Sequence, residues 1–166
     1  MRNTTIVAIL ALGATCSASA APPRLKPGLW QISVQSSNGR RPPRTSRLCV
    51  DEHTLDLLSG TGAAGARQAC SRNDKKVTGN QMAVDSVCRF AGSVISSHVV
   101  VTYQGDRQYH IESHSKYTPA FFGHRETSSQ QTGTWTGQCP QGMKPGDMIT
   151  SEGIHTNLLN MGSGQR

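Results

Sequence analysis

The sequence is poor in the residues that build a large apolar core and in the motifs that mark catalysis. Of its 166 residues, 5% are aromatic and 35% are hydrophobic. It contains no C-x-x-C pair of the kind that holds structural zinc and no G-x-S-x-G serine motif. No apolar run reaches the roughly 20 residues that a transmembrane helix needs. These absences argue against a zinc finger, a common type of serine hydrolase and a helical membrane protein.

The first 20 residues have the three parts of a secretory signal peptide. Arg2 precedes a short apolar run over residues 6–14, and Ala18-Ser19-Ala20 supplies the small residues that signal peptidase accepts. We predict cleavage after Ala20, which places a mature chain without a transmembrane segment in the periplasm. Cys16 raises the alternative of a lipidated N-terminus, but the three residues before it contain no Leu, and Thr15 stands where such a site needs Gly or Ala.

Cleavage leaves four cysteines in the mature chain: Cys49, Cys70, Cys88 and Cys139. An even number in an exported protein predicts disulfides, with three possible connectivities. A hairpin centred on Gly79 sets Cys70 directly opposite Cys88, with Cβ atoms about 4.5–5.5 Å apart, close enough to bridge. We therefore predict the pairs Cys70–Cys88 and Cys49–Cys139.

Alternation of apolar and polar residues, as over residues 30–35, predicts a mainly β fold. The predicted elements are a hairpin over 30–50 that turns at Asn38-Gly39, a short helix over 51–58, a hairpin over 70–88, a hairpin that joins 93–104 to 108–117 about Asp106, and a last strand over about 126–138. Together they predict an antiparallel twisted sheet or partly closed β-barrel with one short helix and two disulfides.

The same pattern divides the chain into four parts. We expect a signal peptide over 1–20, an extended lead-in over 21–27, a disulfide-stapled β domain over 28–140 and an irregular C-terminal tail over 141–166. The proline-rich lead-in and the tail, rich in proline and glycine after Cys139, show neither a helical nor a strand period.

Four short segments of the domain recur together in one known family. They are Pro27-Gly28-Leu29-Trp30, Cys49-Val50 before the acidic helix, Gly105-Asp106 before Tyr109, and Gly137-Gln138-Cys139-Pro140. Over roughly residues 27–140 the chain resembles the bacterial exported proteins grouped as domain of unknown function 3617. The resemblance implies a periplasmic β domain with paired cysteines in a Gram-negative bacterium, and it implies no activity.

One polar strand face carries candidate metal ligands. His110, Glu112 and His114 alternate along the predicted strand and so share a face. Two imidazoles and a carboxylate are ligands for zinc or copper, and His98 and His124 would join them only if the fold brought them close. A solvent-facing strand produces the same pattern, so we expect no metal and no other cofactor.

The formal net charge of +7 falls to +6 when Arg2 is removed with the signal peptide. Such a charge favours anionic partners, although it also serves solubility alone. The candidate rim for an anionic ligand lies around the first hairpin's tip and consists of Arg40, Arg41, Arg44 and Arg47. Too few aromatic residues remain outside core-type positions to stack bases, so we expect no nucleic-acid partner.

Four large aromatic side chains mark a candidate apolar cleft on the concave face of the sheet: Trp30, Tyr103, Tyr109 and Trp135. A curved sheet often leaves such a cleft, and the alternative is an ordinary core. We therefore expect a non-enzymatic periplasmic protein that binds an apolar or anionic component of the cell envelope. The alternatives are a metal-binding protein that uses His110, Glu112 and His114, and an envelope hydrolase.

Overall fold

The computed structural model describes residues 23–36, 42–58 and 70–160. Its elements are β1 (Gly28–Ser36), β2 (Arg44–Val50), α1 (Glu52–Leu58), β3 (Cys70–Thr78), β4 (Gln81–Phe90), β5 (Ser93–Gln104), β6 (Gln108–Phe121), β7 (His124–Gly137), β8 (Asp147–Thr150) and β9 (His155–Asn157). Within these ranges no helix combines the length and the apolar character that a bilayer crossing demands.

The nine strands form one antiparallel sheet in the order β3-β4-β5-β6-β7-β1-β2-β8-β9. Because β3 and β9 lie at opposite ends of this order, the sheet is open and does not close into a barrel. The prediction of a mainly β, antiparallel fold with one short helix is confirmed. Four of the strands, β4 to β7, follow one another as simple hairpins, so their alternate turns lie at the same end of the sheet.

One face of the sheet carries two buried clusters. The first joins Trp30 and Ile32 of β1 to Leu48 and Val50 of β2, and the second contains Met82, Val101 and Tyr103. Leu25, from the segment predicted as an extended lead-in, packs against both clusters, as does Tyr109. The backbone of this segment is also fixed, since the Lys26 N–H donates to the Asp106 carbonyl at 2.8 Å. The lead-in therefore helps to complete the core.

A glycine allows the central aromatic side chain to lie flat on its neighbouring strand. Tyr109 of β6 lies directly across from Gly133 of β7. A Cβ atom at position 133 would be only 2.2 Å from carbon atoms of the Tyr109 ring. With that space free, the Tyr109 ring reaches the Trp30 ring at a centroid distance of 5.4 Å and joins the two buried clusters.

Both predicted disulfides, Cys49–Cys139 and Cys70–Cys88, are present. The register that led to the second one differs by one residue from the prediction. Thr78 pairs with Gln81, so the hairpin turns through Gly79 and Asn80 together instead of about Gly79 alone. An irregularity between Cys70 and Arg72 then shifts the register back by one residue and sets Cys70 opposite Cys88.

The structure corrects the prediction of an irregular tail over residues 141–166, because this segment contains the strands β8 and β9. Met148 of β8 pairs with Leu48 of β2 and packs against the first buried cluster. The Asp147 carboxylate accepts hydrogen bonds from the Asn157 side chain and from the Lys144 N–H, both at 2.7 Å, and these lower the pKa of Asp147. Strands of four and three residues show too little alternation to be recognised in a sequence.

Candidate functional site

The structure does not bring the two described arginines of the predicted basic rim together. Arg40 and Arg41 lie outside the described residues. Arg44 and Arg47 are exposed and three positions apart in one regular strand, so their side chains lie on opposite faces of the sheet. Arg44 lies across from Val34, whereas Arg47 lies across from Gln31.

The four aromatic residues of the predicted cleft lie within or beside the packed core. Trp30 and Tyr103 are 2% and 7% exposed, and burial raises the pKa of both Tyr103 and Tyr109. Two cations contact the half-buried Trp135, with Lys26 Nζ 4.3 Å and Arg107 Cζ 5.1 Å from its ring centroid. Its indole N–H donates to the Pro27 carbonyl at 3.0 Å. Side chains therefore fill this region of the sheet.

His110, Glu112 and His114 share the face of the sheet opposite the core, as predicted from their alternation. His110 and His114 are nevertheless about 13 Å apart along the strand at a rise of about 3.3 Å per residue. The Nε2 atom of His110 lies 3.6 Å from Glu112, while that of His114 lies 3.9 Å from Glu126 of β7. Among the residues that the structure describes, no three His, Cys, Asp or Glu side chains converge as a metal site would require.

A serine, a histidine and a glutamate lie next to one another on this face of the sheet. The Ser128 hydroxyl lies 2.8 Å from His114 Nδ1, and Glu126 lies 3.9 Å from His114 Nε2. The second distance exceeds a hydrogen bond, and the His114 side chain is 43% exposed. An activated nucleophile needs an aligned base and acid, preferably away from bulk water, and this arrangement supplies neither feature.

A cluster of half-buried and exposed aromatic rings lies at one end of the sheet, and we call it the aromatic tip. It consists of Phe90, Tyr117, Phe121 and Phe122, and it contains all three phenylalanines of the sequence. The Phe121 ring is central, at centroid distances of 5.8 Å from Phe90 and from Tyr117 and 4.5 Å from Phe122. Phe122 is 87% exposed and Phe90 is 61% exposed.

Two tight turns hold the aromatic tip. The β4–β5 turn contains Ala91 and Gly92, with φ of 46° and 82°, and the β6–β7 turn contains Phe122 and Gly123, with φ of 45° and 81°. Positive φ at both central residues is typical of type I′ hairpin turns, which favour Asn, Asp and Gly. A bulky residue such as Phe122 is a conformational outlier in that position.

The aromatic tip is flanked by an excess of positive charge. Residues 89–94 and 116–126 contain three Arg or Lys residues, namely Arg89, Lys116 and Arg125, and one carboxylate, Glu126. All four side chains are exposed. Across the described part of the chain none of the three cations forms an ion pair, since the contact of Glu126 is with His114.

The sequence pattern does not reveal this site, because most of the aromatic residues stand at core-type positions and the predicted strand ends at Tyr117. β6 continues to Phe121, and β7 begins at His124 instead of about residue 126. The available signal was the Phe121-Phe122-Gly123 sequence, in which a glycine that can adopt positive φ follows two apolar residues and precedes a basic pair.

The fold and the site define a disulfide-stapled, open antiparallel sheet that displays aromatic side chains at one end. The chain belongs to the family described as protein of unknown function (DUF3617), whose family model matches residues 25–139. This confirms the resemblance found in the sequence. The match includes both disulfides and the aromatic tip, and it ends before β8. No curated protein and no solved structure matches the chain.

Proposed function

We propose that this chain is an exported, non-enzymatic protein of the cell envelope that docks on anionic lipid surfaces through the aromatic tip. The observation that carries the proposal is the placement of all three phenylalanines at one exposed end of the sheet, beside three cations without an ion pair in the described residues. The partner is of the predicted kind, an anionic or apolar component of the envelope. The binding surface, however, is this end of β4–β7 instead of the first hairpin.

Folding alone gives little reason for the position of Phe122. Its ring is 87% exposed, so it contributes little of the about 1.5–3 kcal/mol that burying a Phe side chain supplies. Its φ of 45° adds strain of the order of 1–3 kcal/mol, as is typical of bulky residues in this region. Contiguous exposed apolar groups in a monomer commonly mark an interaction surface.

The chemistry around the rings favours a lipid surface as the partner. Aromatic side chains at the boundary of a bilayer place their rings among the upper acyl chains. Each Arg or Lys near an anionic surface adds about 1 kcal/mol of attraction, and Arg89, Lys116 and Arg125 are placed to provide it. A single weak anchor binds reversibly, so this combination suits a protein that associates with a membrane and leaves it.

The predicted rim residues Arg40 and Arg41 lie outside the described residues, but the strand that precedes them is described. Ser36, the last residue of β1, pairs with Ser129, so β1 ends toward the end of the sheet that carries the aromatic tip. Arg40 and Arg41 follow Ser36 by a few residues in the chain. Their contribution to lipid binding remains a prediction, which replacing both by Ser would test.

Export is supported by the predicted signal peptide together with two disulfides, which persist in oxidising compartments. N-terminal sequencing of the protein from its native host should find Ala21 as the first residue in the periplasmic fraction. Protein that retains Met1 and stays in the cytoplasm would overturn this part of the proposal.

Lipid binding is tested by co-sedimentation of the purified mature protein with vesicles. We expect binding to vesicles of phosphatidylcholine with 30% phosphatidylglycerol, at about 0.05 M salt, and weaker binding to phosphatidylcholine alone. Because the Debye length falls from about 10 Å at 0.1 M to about 3 Å at 1 M salt, binding should decrease steeply over this range. Phe122→Asn and Phe90→Ser should each reduce the bound fraction severalfold.

Two matched controls separate a site from general stickiness or net charge. Ile154→Ser removes an apolar side chain with the same 61% exposure as Phe90 from the β8–β9 turn, and it should leave binding unchanged. Arg89→Ser with Arg125→Ser should weaken binding far more than Lys75→Ser with Lys76→Ser on β3, although both remove two charges. Equal losses in the paired variants, or a wild-type protein that binds no vesicles, would reject the aromatic tip as a lipid-docking surface.

A further inference from the structure

Four polar side chains form a row across the face of the sheet opposite the core. One comes from each of the strands β4 to β7: Asp85 lies across from His98, His98 across from His114, and His114 across from Ser128. Directly opposed side chains have Cβ atoms about 4.5–5.5 Å apart, so the two imidazoles at the centre of the row are immediate neighbours.

Asp85 and Ser128, the outer members of the row, each contact the Nδ1 atom of the neighbouring imidazole. His98 Nδ1 lies 2.7 Å from Asp85 Oδ1, and His114 Nδ1 lies 2.8 Å from the Ser128 hydroxyl. Among the described residues, both Nε2 atoms are thereby left for another partner, since the approach of His114 Nε2 to Glu126 is 3.9 Å, longer than a hydrogen bond. A histidine that binds a metal through one nitrogen commonly donates from the other to a carboxylate or another oxygen, which fixes its tautomer and orientation.

The histidine pair lies where two surface depressions meet. One depression of about 370 Å³ is lined by His98 and His114 together with Glu112, and a second of about 290 Å³ is lined by the same two histidines together with Asp85. The pair is thus open to solvent on both sides, with one carboxylate in each depression and with Arg72 and Lys116 also lining the second. This leaves room for water molecules or a small anion to complete the coordination of a bound ion.

We propose that His98 and His114 bind one divalent transition-metal ion through their Nε2 atoms, Cu²⁺ more tightly than Zn²⁺. Imidazole suits both ions, and affinity at a given nitrogen site rises to a maximum at Cu²⁺. Asp85 and Ser128 are positioning residues that act through the imidazoles. The site differs from the set His110, Glu112 and His114 expected from the sequence, because neighbouring strands bring His98 to His114 whereas the strand itself keeps His110 distant.

Two protein ligands are consistent with the absence of any three-residue metal cluster among the described residues. They leave the remaining coordination positions to solvent, so we expect a weaker and more exchangeable site than a structural zinc centre. This inference is independent of the proposed lipid docking, because the row lies on a strand face and contains no residue of the aromatic tip.

The test is titration of the purified mature protein, carrying no histidine tag, with Cu²⁺ in a non-chelating buffer, followed by calorimetry and by electron paramagnetic resonance. We expect one equivalent of Cu²⁺ with a spectrum that shows nitrogen ligands. His98→Gln and His114→Gln should each lower the affinity at least tenfold, whereas His110→Gln and His124→Gln should change it less than twofold. Zn²⁺ should compete at higher concentration.

The variant Asp85→Asn tests whether Asp85 positions the His98 imidazole. Loss of a partner of this kind commonly lowers metal affinity about 10–100-fold, so we expect a loss near the lower end with the copper spectrum retained. Circular dichroism should be unchanged in all of these variants, since the altered side chains are exposed or half-buried and lie away from the core. Vesicle binding should be unchanged in the variants of Asp85, His98, His110 and His114, which lie outside the aromatic tip. Absence of binding by the wild type, or equal losses in His110→Gln and His98→Gln, would overturn the proposal.

Discussion

At the residue scale, Trp30 connects the lead-in segment and Tyr109 to the first buried cluster. It is 2% exposed, its indole N–H donates to the Lys26 carbonyl at 2.9 Å, and its ring lies against Tyr109. The alternation of Trp30, Ile32 and Val34 with polar residues predicted that this side chain faces the interior. The participation of Lys26 and Leu25 could not be predicted, because a segment without a period gives no indication of the face on which it packs.

Replacement of Trp30 by Ala should destabilise the protein by about 3–5 kcal/mol, because it removes a large buried ring and leaves a cavity. Chemical denaturation measures this loss. Trp135→Ala is the matched control, since Trp135 lies directly across from Trp30 but is only half-buried. We expect its effect to be less than half as large. A loss below about 1 kcal/mol for Trp30→Ala would show that the ring is exposed in solution.

Asp51 caps helix α1 and gives the stability a defined dependence on pH. Its carboxylate accepts hydrogen bonds from the Thr54 hydroxyl at 2.6 Å and from the Thr54 N–H at 2.7 Å, and these lower its pKa from the ordinary value of 3.8. Because the pKa is lower in the folded state, this contribution is complete above pH 3.8 and disappears as the pH falls through the folded-state pKa.

Asp51→Asn should therefore reduce stability near neutral pH only slightly, since Asn is also a good N-cap residue, and should remove this pH dependence. Denaturant midpoints of the two proteins measured between pH 2 and pH 6 check the expectation. The difference between them should shrink as the pH falls below 3.8. A difference that stays constant over the whole range would mean that the charge of Asp51 does not contribute to the cap.

At the scale of secondary-structure elements, the long hairpins were predictable and the short strands were not. The β5–β6 hairpin has the predicted register about Asp106, with Tyr103 across from Tyr109, because apolar alternation over 12 and 14 residues leaves few alternatives. In the β3–β4 hairpin the irregularity next to Cys70 is invisible in the sequence. The predicted cysteine pair was right although the turn was misplaced by one residue.

The segment with β8 and β9 is expected to be part of the folding unit, even though it lies beyond the family match. β8 pairs with β2, and Met148 and Leu158 pack on the first cluster. A chain that ends at residue 144 should therefore unfold at a lower temperature. Its β2 amides should exchange hydrogen about 10-fold faster or more, because β2 then becomes an edge strand.

The control for this truncation is the full-length Ile154→Ser variant, which alters only an exposed side chain in the β8–β9 turn. It should unfold and exchange as the wild type does. If the truncated chain is equally stable, the folding unit ends near residue 140, as the sequence pattern suggested, and β8 is a loosely attached strand.

At the scale of the whole molecule, the aromatic tip arises from strand order. Phe90 and Phe121 are 31 positions apart in the sequence, and their rings meet because the β4–β5 and β6–β7 turns lie at the same end of neighbouring hairpins. His98 and His114 are likewise side by side, through the β5–β6 register that the sequence predicted about Asp106. A linear pattern shows which residues share a strand face, but it does not show which strands are neighbours unless every turn is recognised.

The two disulfides constrain the whole chain to different extents. Cys49–Cys139 closes a separation of 90 residues and connects the ends of β2 and β7 across β1, whereas Cys70–Cys88 closes 18 residues within one hairpin. In the loop-entropy account, such cross-links contribute about 4.5 kcal/mol and about 3 kcal/mol. Removing the first pair with Cys49→Ala and Cys139→Ala should therefore cost about 1.5 kcal/mol more than removing the second with Cys70→Ala and Cys88→Ala. Urea denaturation of both double variants measures the difference, and a larger loss from the hairpin pair would contradict the entropic explanation.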